Sequence, residues 1–151
     1  MKTSVERLCD HPGLVSQVAD WLLGEWPGFF SVRDPKSYLE ARLERHKLPL
    51  TLIALRGQEP VGTVALSPRS LRAYAHLSPW ISGLVVRRGY RRHGIGSQLV
   101  ASATELAWSL GTRRLYVAAC YPKLFERLGW RLITRAHHGG RRIAVMGLSQ
   151  R

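Results

Sequence analysis

From Trp80 to Val86 the chain runs with one polar residue, Ser82, then turns through Arg91-Arg92-His93-Gly94-Ile95-Gly96 into a helical repeat of apolar residues lasting to about Leu110. A strand so apolar needs cover on both faces, which places it inside a sheet flanked by helices. Two glycines two apart let the backbone bend sharply and approach a ligand closely, while the N–H groups of the first helical turn point outward without intrahelical partners. Those donors and the positive end of the helix dipole favour an anion, and Arg87, Arg88, Arg91 and Arg92 crowd the same turn. The stretch therefore reads as a phosphate cradle. It is not one of the usual nucleotide loops: there is no GxxxxGK followed by Ser or Thr, and Leu99 stands where GxGxxG requires a third glycine.

The rest of the chain supplies the other layers. Thr3 to Cys9 reads as a first strand, and Leu14, Val15, Val18, Trp21 and Leu22 fall at helical spacing, predicting an amphipathic helix that ends at Gly24. Asp34 before Pro35 predicts a capped second helix that carries Tyr38, Leu39 and Leu43 on one side and stops before Pro49. Leu50 to Leu55 and Pro60 to Ser67 form a hairpin, and Pro68 to Pro79 is a polar connection to the apolar strand. After the helix that stops at Gly111 come a strand, Arg114 to Ala119, and a short helix, Pro122 to Leu128. Trp130 to Arg135 and Arg141 to Leu148 then close a hairpin around Gly139-Gly140. The order β α α β β β α β α β β predicts an α/β fold, one domain over residues 1–151.

Arg91-x-x-Gly94-x-Gly96 resembles the coenzyme A signature of the GCN5-related N-acetyltransferases, which reads Arg or Gln, two residues, Gly, one residue, Gly or Ala. Gly83-Leu84-Val85-Val86 resembles the family's fourth strand, and Leu124-Phe125-Glu126-Arg127-Leu128-Gly129-Trp130 its recurring segment near the C-terminus. The resemblance covers Leu50 to Leu148 clearly and the first fifty residues more loosely. It implies a mixed, mostly antiparallel central sheet of about seven strands with helices on both faces. It also implies transfer of acetyl from acetyl-CoA to a primary amine by direct attack in a ternary complex, with no metal.

On that resemblance the coenzyme pyrophosphate rests on the amides of Arg91, Arg92, His93, Gly94, Ile95, Gly96 and Ser97. The pantetheine arm lies like an extra strand beside Leu84, Val85 and Val86, and a backbone N–H near Leu84 or Val85 polarises the thioester carbonyl. Phe125, a further coenzyme-binding position, stands where relatives commonly carry a tyrosine acid, so Tyr121, Cys120 or water must protonate the thiolate. Trp80-Ile81-Ser82-Gly83-Leu84 lacks the acid many relatives place there, which leaves His76 and Glu25 as candidate bases, Glu25 also as an amine-binding carboxylate. Trp26, Phe29, Phe30, Tyr74 and Trp80 suggest an aromatic wall for the acceptor, a peptide or small amine of modest charge.

The formal charge of +13 raises a rival reading, a nucleic-acid-associated protein. Against it, the cations are mostly arginine, scattered, and never more than two in a row. A third reading is a noncatalytic acetyl-CoA sensor. Cys9 and Cys120 are too few for a disulfide framework, and adjacent His137 and His138 diverge too much to share a metal. The N-terminus lacks the apolar run of a signal peptide, and no stretch approaches the roughly 18 apolar residues of a membrane helix, so the expected location is the cytoplasm, with no membrane partner. The last strand, Arg141 to Leu148, is expected to offer an exposed edge, which leaves a homodimer open without fixing the oligomeric state.

Overall fold

The computed structural model describes residues 2–25 and 34–151. Seven strands form one sheet: β1 (Thr3–Arg7), β2 (Leu50–Arg56), β3 (Glu59–Ser67), β4 (Trp80–Val86), β5 (Arg114–Ala119), β6 (Arg131–His138) and β7 (Arg141–Ser149). Their spatial order is β1-β2-β3-β4-β5-β7-β6, and every neighbouring pair is antiparallel except β4 and β5. Four helices connect them: α1 (Val15–Glu25), α2 (Pro35–Glu40), α3 (Ile95–Ser109) and α4 (Pro122–Arg127). The element order and the mixed, mostly antiparallel sheet agree with the expectation from the sequence.

Each face of the sheet has its own core, and β2 shows why its residues are mostly apolar. Leu50, Leu52 and Ala54 pack on the side of α3 and α4, with Ile95, Leu99, Val100 and Phe125, whereas Ile53 and Leu55 pack with Val15, Val18 and Leu22 of α1 and Leu39 of α2. Alternate side chains point to opposite faces, so a strand covered on both sides is apolar at nearly every position; in β2 the one buried polar residue is Thr51. Leu99 and Val100 are fully covered, each contributing about 1.5–3 kcal/mol over an exposed side chain.

Two expectations are corrected. The second helix ends at Glu40 rather than near Pro49, although its start is as predicted: Asp34 accepts from the Ser37 N–H at 3.3 Å and the Ser37 hydroxyl at 2.6 Å. Beyond it the backbone leaves the helix, and Leu43 bridges Leu50 at the start of β2. A sheet contact there overrides local helical preference. The second correction concerns the free edge. β7 lies between β5 and β6, and Ile143, Ala144, Val145 and Met146 are all buried, as an interior strand requires; β6 and β1 are the edges.

Candidate functional site

Antiparallel pairing of β4 with β3 slips in the middle of the apolar strand: Thr63 opposes Val85 and Ala65 opposes Ser82, so Val64 faces both Gly83 and Leu84. Gly83 makes this bulge possible with a left-handed φ of 58°, and its carbonyl accepts from the Thr63 hydroxyl at 2.9 Å. One extra residue reverses the faces beyond it. Ile81 accordingly lies in the α3 core, while Val85, four residues on, lies in the α1 core. On the other side of β4 the parallel pairing with β5 covers Trp80–Tyr116 and Ile81–Val117 and stops. The two strands part at the bulge.

A cleft of about 390 Å³ opens where they part. Ser82, Gly83 and Leu84 of β4 form one side, Val117, Ala118 and Ala119 of β5 the other, and Leu124 and Phe125 of α4 close the end. Phe125 is 4 % exposed and meets Trp130 edge-on at 5.3 Å between centroids, so it serves the core and the cleft wall together. Tyr121 stands at the N-cap of α4 on the rim, 73 % exposed, its ring free to reach a ligand. Cys120 also lines the cleft. Burial pushes its thiol up despite nearby Arg141, which keeps it protonated and a poor nucleophile.

Past β4 the chain makes the loop expected to cradle phosphates. Gly94, at the N-cap of α3, has φ 79°, a left-handed conformation that only glycine adopts without strain. Gly96 differs. A Cβ there would meet Leu124 at 3.7 Å and Val86 at 3.9 Å, ordinary contacts, so the fold leaves room for a larger residue. A glycine kept where the protein needs none fits backbone that a ligand approaches. The loop is held from behind: Arg91 donates through Nε to the Val86 carbonyl at 2.8 Å and through Nη2 to Glu25 at 2.9 Å, and Glu25 also accepts from the Arg88 N–H at 3.2 Å.

Of the residues singled out from the sequence, Leu84, Tyr121 and Phe125 line the cleft; Val85 and Val86 continue the bulged strand beyond it, and Arg91, Arg92, His93, Gly94, Ile95, Gly96 and Ser97 make the turn and helix start that follow, where Gly96 lies beside Leu124 of the cleft. Ile95 packs into the core, and Arg92 itself takes a left-handed φ of 65°. Glu25 and His76 fall elsewhere. Glu25, the last residue of α1, has its carboxylate engaged at the phosphate loop. His76 is exposed on the connection before β4, its ring 6.4 Å from that of Tyr74, and neither residue lines the cleft. Of the expected aromatic wall, Trp80 is fully buried, donating to the Leu77 carbonyl at 2.7 Å; Trp26, Phe29 and Phe30 lie outside the described residues.

Sequence reasoning missed the other half of the cleft. Tyr38 of α2, Ser67 at the end of β3 and Ser82 of β4 meet there: Ser82 hydrogen-bonds Tyr38, and the two serine hydroxyls are 2.9 Å apart. Burial raises the Tyr38 phenol above its usual value, with Arg42 opposing, so it stays a neutral donor across the working range. Arg42 stacks on the Tyr38 ring at 3.7 Å. The one local signal was Gly83, a glycine inside an apolar strand.

Residues 15–130 match the model of the acetyltransferase (GNAT) family. The fold is similar to an aminoglycoside 6'-N-acetyltransferase complexed with coenzyme A, with a TM-score of 0.77, 18% identity, and coverage of 99% of this chain and 97% of that one. It is similar to the aminoglycoside 6'-N-acetyltransferase from Enterococcus faecium, at TM-score 0.73, 19% identity, and 99% and 97% coverage. The Drosophila melanogaster polyamine N-acetyltransferase matches at TM-score 0.73, 15% identity, and 99% and 100% coverage. At such identities the likeness is one of fold. No curated protein matches the sequence significantly.

Proposed function

We propose, from the premise that the chain belongs to the GNAT acetyltransferase family, that it moves acetyl from acetyl-CoA to a primary amine by direct attack, both substrates meeting in the β4–β5 cleft. The observation that carries this reading is that Leu124, at the end of that cleft, also lies 3.7 Å from where a Cβ on Gly96 would stand, at the donor-rich start of α3. An extended pantetheine arm fits the unpaired side of β4 at Leu84, Val85 and Val86, while the amides from Arg91 to Ser97 suit its pyrophosphate. A backbone N–H at Leu84 or Val85, beside the bulge at Gly83, suits the charge developing on the thioester oxygen.

In the transfer, the amine nitrogen forms a bond to the thioester carbonyl carbon, and the carbon–sulfur bond breaks with its electrons leaving on sulfur. Tyr121, at the rim beside Leu124 and Phe125, protonates the departing thiolate and regains its proton from water. The ammonium of the acceptor first loses one proton to water, and the attacking nitrogen loses a second to water as the carbon–nitrogen bond forms, leaving the neutral amide. Ser67, Ser82 and Tyr38 are placed to order that water, since no carboxylate lines the cleft among the described residues.

The test is calorimetric titration of acetyl-CoA into wild type and Gly96→Trp, followed by thiol release over a panel of amines. Micromolar binding lost in the variant, together with turnover on some amine, is expected. Binding without turnover on any amine would mark a coenzyme sensor instead; no binding to wild type would refute the proposal.

A further inference from the structure

The charge lining the acceptor side of the cleft has one sign. Arg42 and Arg69 line it beside the imidazole of His138, and among the described residues no Asp or Glu does. The sequence makes that one-sidedness thorough. No acid occurs from Pro60 to Thr104, which contains β4 and most of β3, nor after Glu126, which contains β6 and β7; residues 26–33 contain none either. Glu40 and Glu44, the acids nearest Arg42 in the chain, are exposed and line none of the cleft. Asp34 is engaged with Ser37.

Arg42 is also set up in advance for a ligand. Its guanidinium stacks on Tyr38 at 3.7 Å and donates through Nη1 to the Tyr38 carbonyl at 3.0 Å, yet it joins no ion pair, and its Nε is buried without an acceptor among the described residues. A planar cation fixed by stacking and left without a counter-charge is suited to a carboxylate. The coenzyme does not need these cations: its phosphates belong at Arg91 to Ser97, beyond the opposite end of β4. An amine-rich cation, by contrast, would enter against Arg42, Arg69 and His138 with no carboxylate to receive it.

Resting on the acetyl-transfer reading above, we infer that the acceptor is an amine that also carries a carboxylate. Arg42 and Arg69 hold the carboxylate, and the amine is thereby presented to the thioester between β4 and β5. The acceptor class is then that of amino acids and their small derivatives, with the polycations acetylated by some proteins of this fold excluded by charge.

The experiment pairs each amino acid with its own carboxamide and its decarboxylated amine, and adds a linear diamine. Acetylation is followed as thiol release, and binding to the protein saturated with coenzyme A is followed by calorimetry. The carboxylate form is expected to exceed its carboxamide by about 10- to 100-fold in kcat/KM and in affinity, as a charge-assisted contact implies. Arg69→Gln, at an exposed position, is expected to shrink that ratio by about 10-fold without a change in the acetyl-CoA dissociation constant. Arg42→Lys, which keeps the charge but loses the fork, should shrink it less. Equal use of acid and carboxamide, or preference for the diamine, overturns the inference while leaving acetyl transfer intact. Lack of turnover with every amine counts against the acetyl-transfer reading; carboxylate-selective binding would still support the anion site, and its absence would refute that too.

Discussion

Replacing Gly96 by alanine separates what the fold requires from what a phosphate requires. Gly96 is the second residue of α3, and its added Cβ would lie 3.7 Å from Leu124 and 3.9 Å from Val86, so no neighbour has to move. Alanine in a helix is favoured over glycine by about 0.5–1 kcal/mol, through the smaller backbone entropy it loses on folding. In a chain of this length the gain raises the melting temperature by about 1–4 °C. The same methyl stands beside the amides proposed to receive the coenzyme pyrophosphate. Loss of one charge-assisted hydrogen bond there costs about 1.5–3 kcal/mol, or roughly 10- to 150-fold in acetyl-CoA affinity. Thermal melting of the free protein and calorimetric titration of acetyl-CoA read the two effects separately. Gly94→Ala is the internal contrast: at φ 79° a Cβ is strained, and stability should fall by about 1–2 kcal/mol. A Gly96→Ala protein that melts lower and binds acetyl-CoA as tightly as wild type would refute the reasoning, because Gly96 would then serve the fold and not the ligand.

Glu25→Gln removes the counter-charge of Arg91 and should change the acetyl-CoA KM several-fold while leaving the pH dependence of kcat in place; a kcat that loses its acidic limb would make Glu25 the base. Tyr121→Phe should lower kcat by about 100-fold, the usual scale for a general acid, with no shift in melting temperature because the ring is 73 % exposed; an unchanged kcat would assign the proton to water. Tyr38 gives a pH prediction. Its folded phenol titrates above the ordinary value of 10.0, so the unfolded chain loses that proton first as pH rises. Stability from this group is whole below pH 10.0 and declines above it. Denaturant melts across that range should show a shallower alkaline loss in Tyr38→Phe than in wild type.

Much of this architecture is legible from short stretches of sequence. The apolar run from Trp80 to Val86, the paired glycines at 94 and 96, the cap at Asp34 and the helical spacing from Val15 to Leu22 all act through contacts a few residues apart, so their signals survive without knowledge of the fold. The glycine-capped turn into α3 was readable for that reason, since it is made of consecutive residues. Even β7 carried a local sign of its place: the unbroken apolar run Ile143 to Met146 belongs to a strand with neighbours on both sides.

The acceptor half of the site has no such local signature. Tyr38, Ser67 and Ser82 come from a helix and two strands, and only sheet order and the packing of α2 bring their hydroxyls together. Arg42 reaches the cleft because the helix before it ends early, when Leu43 exchanges a helical partner for a bridge to Leu50. Glu25 reads in sequence as an acid near the acceptor, yet the end of α1 carries it to the phosphate loop, where Arg91 holds it. The sequence by itself determined the strands, the helix faces and the glycine turn into α3, because spacing along the chain decides them. Which charges share a cleft was decided only by tertiary structure, since electrostatics acts through space between groups that sequence distance does not order.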